Sequence, residues 1–109
     1  MNRFSVIYLH RKQYHHLYSA TQAEADALLA ELASRKGHTP IGSYDAKTEL
    51  FSWKPDLQQH YDQATIEEQG KSGDYMIRIA QELRQHDQST AEQRLQAMAQ
   101  PQLFSTNEV

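Results

Sequence analysis

The segment from Thr21 to Gly37 carries a complete set of helix signals and constrains the fold most strongly. Thr21 and Glu24 form the T-x-x-E pattern of a capping box, in which the two residues satisfy each other's backbone N–H groups. The apolar residues that follow share one helix face, at Ala25, Leu28, Leu29 and Leu32. Arg35 and Lys36 suit the negative end of a helix, and Gly37 can adopt a left-handed conformation there. The sequence therefore predicts a helix from Thr21 to Lys36.

Two short runs before this helix are rich in β-branched and aromatic residues. Phe4 to Leu9 is apolar on both faces and predicts a central strand. Tyr14 to Ser19 alternates weakly and predicts a hairpin partner for it.

Two further runs after the helix predict a second hairpin. Pro40 to Tyr44 and Thr48 to Trp53 flank a polar connector of hairpin length, and Phe51 shares a strand face with Trp53. Pro55 prevents an interior strand from continuing. The order β-β-α-β-β predicts an α+β fold with a mostly antiparallel sheet of three or four strands.

The second half of the chain lacks β-branched runs and predicts helices. Apolar residues recur at helical spacing at Met76, Ile79, Ala80 and Leu83. We therefore expect a helix from Ser72 to Gln85 that covers the same face of the sheet as the first helix. Asp56 to Gln69 is a helix or a packed loop, and Gly70 and Gly73 separate it from the next helix.

A second capping-box pattern, Ser89 to Glu92, predicts a further helix that Pro101 ends. Its narrow apolar stripe, which includes Leu95 and Met98, suits an exposed arm or a partner surface. We therefore divide the chain into one α+β domain at residues 1–88 and a helical arm with a flexible tail at residues 89–109.

Composition excludes several classes of function. The 109 residues include no cysteine, which excludes disulfides, thiolate metal sites and cysteine nucleophiles. The apolar run near Met1 is too short for a signal peptide or a membrane span, so we expect a cytoplasmic protein. The chain lacks a G-x-S-x-G, P-loop, Rossmann or H-E-x-x-H pattern. We therefore predict no enzymatic activity and no cofactor.

The first hairpin combines basic and aromatic residues that suit a nucleic acid. Its members are Tyr8, Arg11, Lys12, Tyr14 and Tyr18. Cations contact phosphates and exposed rings stack on bases. The alternative is that the rings are buried and the cations are merely solvated side chains of a turn. The net charge of −3 favours this alternative.

Histidines in the same hairpin suggest a metal site as another alternative. His10 and His15 face each other across the turn in the predicted hairpin, and His16 follows. No carboxylate lies at a fixed local spacing to complete a site, so a simple polar turn is the favoured explanation of these residues.

Two apolar features point to protein partners. Trp53 lies in an aromatic cluster of the kind found in a core or a dimer interface. The segment Gln100 to Phe104 resembles the Q-x-x-L-F peptide by which many bacterial proteins dock on the replication sliding clamp, with Leu103 and Phe104 as its apolar pair. That pair could instead fold back on the domain. We therefore expect a non-catalytic protein-interaction module, homodimeric or bound to another protein, with nucleic-acid binding and metal binding as alternatives.

Overall fold

The computed structural model describes the backbone of residues 2–99 and the side chains of residues 2–87. Within these residues the chain forms four strands and three helices. They are β1 (Phe4–His10), β2 (Gln13–Ser19), α1 (Gln22–Ala33), β3 (His38–Asp45), β4 (Leu50–Trp53), α2 (Pro55–Gln63) and α3 (Ile66–Ala99). The α+β class and the helical C-terminal half are as predicted.

The strands form one antiparallel sheet in the order β2-β1-β3-β4. β1 is central, as its apolar sequence predicts. A two-residue turn, Arg11-Lys12, joins β1 to β2, so that His10 lies opposite Gln13. The pairing of β1 with β3 shifts by one residue after Ile7. The sheet therefore has β2 and β4 as its two edges.

Helices cover both faces of the sheet. On one face, Phe4 and Val6 of β1 pack against the apolar side of α1. On the other face, Ile7 packs with Met76 and Ala80 of α3. The prediction that both helices cover the same face is wrong. Successive strand residues point to opposite faces, so a strand that is apolar at every position needs cover on both sides.

The capping box of α1 is present as predicted. The Thr21 hydroxyl accepts a hydrogen bond from the Glu24 backbone N–H at 3.1 Å, and the Glu24 carboxylate accepts one from the Thr21 N–H at 3.3 Å. The helix ends at Ala33, three residues earlier than predicted, because the hydroxyl and N–H of Ser34 both bind the Glu31 carbonyl. Gly37 adopts a left-handed φ of +83° in the loop that follows.

The C-terminal helices differ most from the prediction. α3 begins at Ile66, where Thr65 and Glu68 form another capping box with hydrogen bonds of 3.1 Å in each direction. Gly70 and Gly73 therefore lie inside a helix and do not end one. A Cβ on Gly73 would lie 3.5 Å from the Tyr61 hydroxyl of α2, which is an ordinary van der Waals contact, so the helix packing here does not require glycine.

α3 also continues through the second predicted helix start at Ser89 to Glu92, so the prediction of a separate helix there is wrong. Serine and threonine are tolerated inside a helix whose remaining residues favour it, as the Gln, Arg, Leu and Ala residues around them do. The predicted domain boundary at residue 88 stays a prediction. Among the helices that the structure describes, none is both long and apolar enough to cross a bilayer.

Candidate functional site

Four ring-bearing side chains meet on the α1 side of the sheet. Tyr8 and His10 follow Val6 on β1 with their side chains on the same face, while His15 of β2 and His38 of β3 lie beside them. All four side chains are partly exposed. We call Tyr8, His10, His15 and His38 the ring cluster.

The rings form a closed arrangement across three strands. His10 stacks on His38 with ring centroids 4.2 Å apart and an interplanar angle of 16°. Tyr8 stacks on His15 at 5.4 Å and lies 5.5 Å from His38, and His10 lies 6.1 Å from His15. The cluster therefore packs four partly exposed rings against one another on one face of the sheet.

The loop between α1 and β3 fixes two of these rings. Nδ1 of His10 lies 3.0 Å from the Gly37 carbonyl oxygen, and Nδ1 of His38 lies 3.1 Å from the Lys36 carbonyl oxygen. A carbonyl oxygen only accepts, so both Nδ1 atoms carry the proton and donate. In the neutral ring, Nε2 is then an acceptor for a ligand.

Cationic residues flank the ring cluster on two loops. Arg11 and Lys12 follow His10 directly in the β1–β2 turn, and both side chains are exposed. Lys36 and Arg35 belong to the loop that binds the histidine rings. Arg35 is paired with Glu31 at 2.5 Å, whereas no carboxylate among the described side chains pairs with the other three cations.

The β1–β2 turn has an unusual backbone. Arg11 and Lys12 both have positive φ, at 53° and 66°. This is the conformation of a type I′ hairpin turn, which favours asparagine and glycine. Each residue with a Cβ costs roughly 1–2 kcal/mol in that region. Backbone strain of this kind is most frequent at functional sites, so Arg11 and Lys12 are candidate binding residues.

The described residues contain no group of three or more His, Cys, Asp or Glu side chains that could hold a metal ion. His10 and His15 lie on the same face with ring centroids 6.1 Å apart, but His10 is opposite Gln13 and not opposite His15 as predicted, and His16 points to the other face. The stacked rings also present their faces to each other, whereas a shared metal needs ring nitrogens in the ring planes to converge on one point.

Tyr14 and Tyr18 lie on the opposite face of the sheet from Tyr8. Tyr14 packs edge-on against Tyr75 of α3, with centroids 6.2 Å apart. Tyr18 donates a hydrogen bond to Asp87 at 3.1 Å and lies under the Arg84 guanidinium. The five residues of the predicted basic and aromatic surface therefore do not form one surface.

A serine, a histidine and an aspartate form a chain of hydrogen bonds between β1, β2 and α3. His16 bonds Ser5 Oγ through Nδ1 at 3.0 Å and the Asp87 carboxylate through Nε2 at 2.7 Å. Arg84 adds a bond of 2.7 Å to the same Ser5 oxygen and another to the Asn2 carbonyl. The same three residue types serve as nucleophile, base and orienting carboxylate in serine hydrolases.

The burial of Ser5 argues against a nucleophilic role. Ser5 has no exposed surface, so a substrate cannot reach its hydroxyl in this conformation. The Arg84 guanidinium also occupies one of its lone pairs. The network therefore ties α3 to the sheet and satisfies polar groups that the helix buries.

The pKa shifts on this face follow from the same contacts. Burial raises the pKa of the Tyr18 hydroxyl, and its hydrogen bond to Asp87 adds to the rise. Burial also acts against ionisation of Asp87, but the hydrogen bonds from His16 and Tyr18 outweigh it and lower the pKa of that carboxyl. Burial also raises the pKa of the Tyr14 hydroxyl.

The aromatic cluster predicted at Trp53 packs against the core between the sheet and α3. Trp53 packs edge-on against Phe51, with centroids 5.1 Å apart, and lies 5.3 Å from Tyr61 of α2. It also lines an open groove of about 430 Å³ between α1 and β4, together with Leu29 and Pro55. The Leu95 and Met98 side chains, and the clamp-like segment with Leu103 and Phe104, lie outside the residues whose side chains the structure describes.

Sequence reasoning missed His38 as a neighbour of the first hairpin. His38 lies 28 positions after His10 in the sequence but opposite it in the sheet. The alternation of side chains along β1 indicated that Tyr8 and His10 share a face. The pairing of β1 with β3, which no local pattern reveals, supplies the third strand of the cluster.

Comparison of the chain with protein-family models, with curated proteins and with solved structures found no match in any of the three.

Proposed function

We propose that the chain is a non-catalytic binding module that binds single-stranded nucleic acid at the ring cluster. The observation that carries this proposal is the placement of four partly exposed rings between two loops that bear cations. Rings supply stacking surfaces for bases, and cations contact the phosphates.

The distribution of charge supports this site despite the net charge of −3. No aspartate or glutamate occurs in residues 1–23 or 32–44, which hold β1, β2 and the loop before β3. Eight of the 14 acidic residues belong to α2 and α3, whereas α1, which covers the same face as the ring cluster, carries three: Glu24, Asp26 and Glu31. The two loops beside the ring cluster therefore offer Arg11, Lys12 and Lys36 to a polyanion and carry no aspartate or glutamate of their own.

The geometry favours single strands over duplexes. In a duplex the base faces are stacked on each other and only base edges are accessible in the grooves. The four rings are partly exposed, and a base whose faces are free can stack on the ring surface that the neighbouring rings leave uncovered. The His10 and His38 Nε2 atoms, as acceptors, can add hydrogen bonds to exocyclic amino groups of a bound base.

Fluorescence anisotropy with a labelled oligonucleotide of about 12 nucleotides tests this proposal. We expect binding that weakens as salt is added, with a slope of log K against log salt of roughly −0.7 for each phosphate contact. A duplex of the same length should bind more weakly. No binding to either probe at low salt would refute the proposal.

A ring variant separates stacking from general charge attraction. His15→Ala should weaken binding by about 1–3 kcal/mol if a base stacks at that position. The matched control is His60→Ala, because His60 is an exposed histidine on α2, far from the cluster in the fold. An equal loss in both variants would contradict stacking at the ring cluster.

A further inference from the structure

The outer edge of β2 is the longest unpaired strand edge in the described part of the chain. β2 spans seven residues at one end of the sheet order, while β4 at the other end spans four. β4 is also followed at once by Lys54 and Pro55, which limit pairing. The segment from Gln13 to Ser19 contains no charged residue, no proline and no bulge, so it lacks the features that protect an edge strand.

The hairpin register determines which backbone groups face outward. In a hairpin with a two-residue turn, the residues that flank the turn exchange both hydrogen bonds, and the pattern then alternates. His10 and Gln13 flank the turn, so Gln13, His15, Leu17 and Ser19 bond to β1. The N–H and C=O groups of Tyr14, His16 and Tyr18 therefore point away from the sheet.

We infer that β2 pairs with β2 of a second copy of this chain, antiparallel and centred on His16. The three outward-facing residues are symmetric about His16, so His16 meets His16 of the other copy and Tyr14 meets Tyr18. Both tyrosine pairs then lie on the α3 face, where cross-strand aromatic pairs stabilise a sheet. The result is a continuous sheet of two copies with a two-fold axis.

Charge complementarity supports a second copy as the occupant. In this register Gln13 of one copy lies opposite Ser19 of the other, so the Arg11-Lys12 turn reaches the start of the other copy's α1. Glu24 lines a groove of about 380 Å³ there, beside Ser19 and Leu28. The Glu24 carboxylate bonds the Ala20 N–H at 2.9 Å, which holds it next to the end of β2.

This dimer would use the same basic turn as the proposed nucleic-acid site, although the inference does not depend on that proposal. The carboxylates of one copy and the phosphates of a nucleic acid then compete for Arg11 and Lys12. A single-stranded oligonucleotide that binds the ring cluster should therefore shift the chain from dimer to monomer.

The molar mass of the full chain, measured by light scattering over a range of concentrations, tests the dimer. Tyr14→Pro removes an outward N–H, and an edge strand tolerates this within the monomer. Tyr14→Phe keeps that N–H and is the matched control, and Leu50→Lys places a charge on the opposite edge. We expect dimers for wild type, Tyr14→Phe and Leu50→Lys, and a folded monomer for Tyr14→Pro, with folding checked by circular dichroism.

A second readout keeps the inference testable if Tyr14→Pro fails to fold. Amide hydrogen exchange of wild-type Tyr14, His16 and Tyr18 should slow as the protein concentration rises, while exchange in β4 stays constant. A wild-type monomer at every concentration, a dimer that survives Tyr14→Pro, or exchange at β2 that is independent of concentration would each overturn the inference.

Discussion

The strained β1–β2 turn allows a direct test of whether Arg11 and Lys12 bind nucleic acid. We consider the double substitution of Arg11→Asn with Lys12→Gly, which installs the pair that a type I′ turn favours. Both side chains are exposed, so the change removes no buried surface. It removes two positive charges and the Cβ at position 12, and it places at position 11 an asparagine, which tolerates positive φ better than arginine.

The expected gain in stability follows from the backbone conformation. Loss of the Cβ at position 12 removes a cost of roughly 1–2 kcal/mol, and asparagine lowers the cost at position 11. The greater entropy of glycine in the unfolded chain offsets about 0.5–1 kcal/mol of this gain. We therefore expect the free energy of unfolding to rise by roughly 0.5–1.5 kcal/mol. In a domain of this size, each kcal/mol corresponds to a rise of about 4–8 °C in Tm.

The same variant should bind the single-stranded oligonucleotide more weakly. Loss of two phosphate contacts should make the salt slope shallower by about 1.4, at 0.7 for each contact. The matched control, Lys47→Asn with Lys71→Gln, also removes two exposed cations but leaves the turn intact. Thermal melts and anisotropy titrations measure both effects. A variant that is less stable than wild type, or that binds as tightly with an unchanged slope, would refute the reasoning.

Three further results are expected. Gly42→Ala should lower the free energy of unfolding by about 1–3 kcal/mol or more, since its Cβ would overlap the Ser52 carbonyl oxygen and lie 2.8 Å from the Phe51 ring; an unchanged urea midpoint would contradict this packing. The hydrogen bonds from Arg3 hold the pKa of Asp45 well below its ordinary 3.8, so the stability that this pair adds is present above that pH and is lost as the pH falls below it. Arg3→Gln should therefore lower Tm near neutral pH and have less effect in acid, and a Tm difference that does not depend on pH would exclude this linkage. Added single-stranded oligonucleotide should convert dimer to monomer in sedimentation velocity, and a dimer that binds the oligonucleotide intact would show that the two partners do not compete.

The sequence predicted those elements whose signals are local. The α1 capping box and the alternation in the two hairpins depend on residues within a few positions of each other, and the structure confirms them. The T-x-x-E pattern at Thr65 to Glu68 is an equally local signal, and it marks the true start of α3. Gly70 and Gly73 obscured it, because a glycine inside a helix costs only about 1 kcal/mol and tertiary contacts can offset that cost.

The candidate site depends on contacts that sequence patterns do not encode. His38 joins the ring cluster only because β3 pairs with β1, and Tyr14 leaves it because β2 presents alternate residues to α3. The network of Ser5, His16 and Asp87 spans more than 70 positions of the chain. The distribution of charge, by contrast, can be taken directly from the sequence. The net charge alone does not show that acidic residues are absent around the first hairpin.

The most direct test of the central claim is an NMR titration of the labelled chain with a single-stranded oligonucleotide. We predict that the largest chemical-shift changes occur at the ring cluster and at the Arg11-Lys12 turn, including the imidazole signals of His10, His15 and His38. The amides of α2 should shift little. Saturable shifts confined to α2 and α3, or no shifts at all, would contradict nucleic-acid binding at the ring cluster.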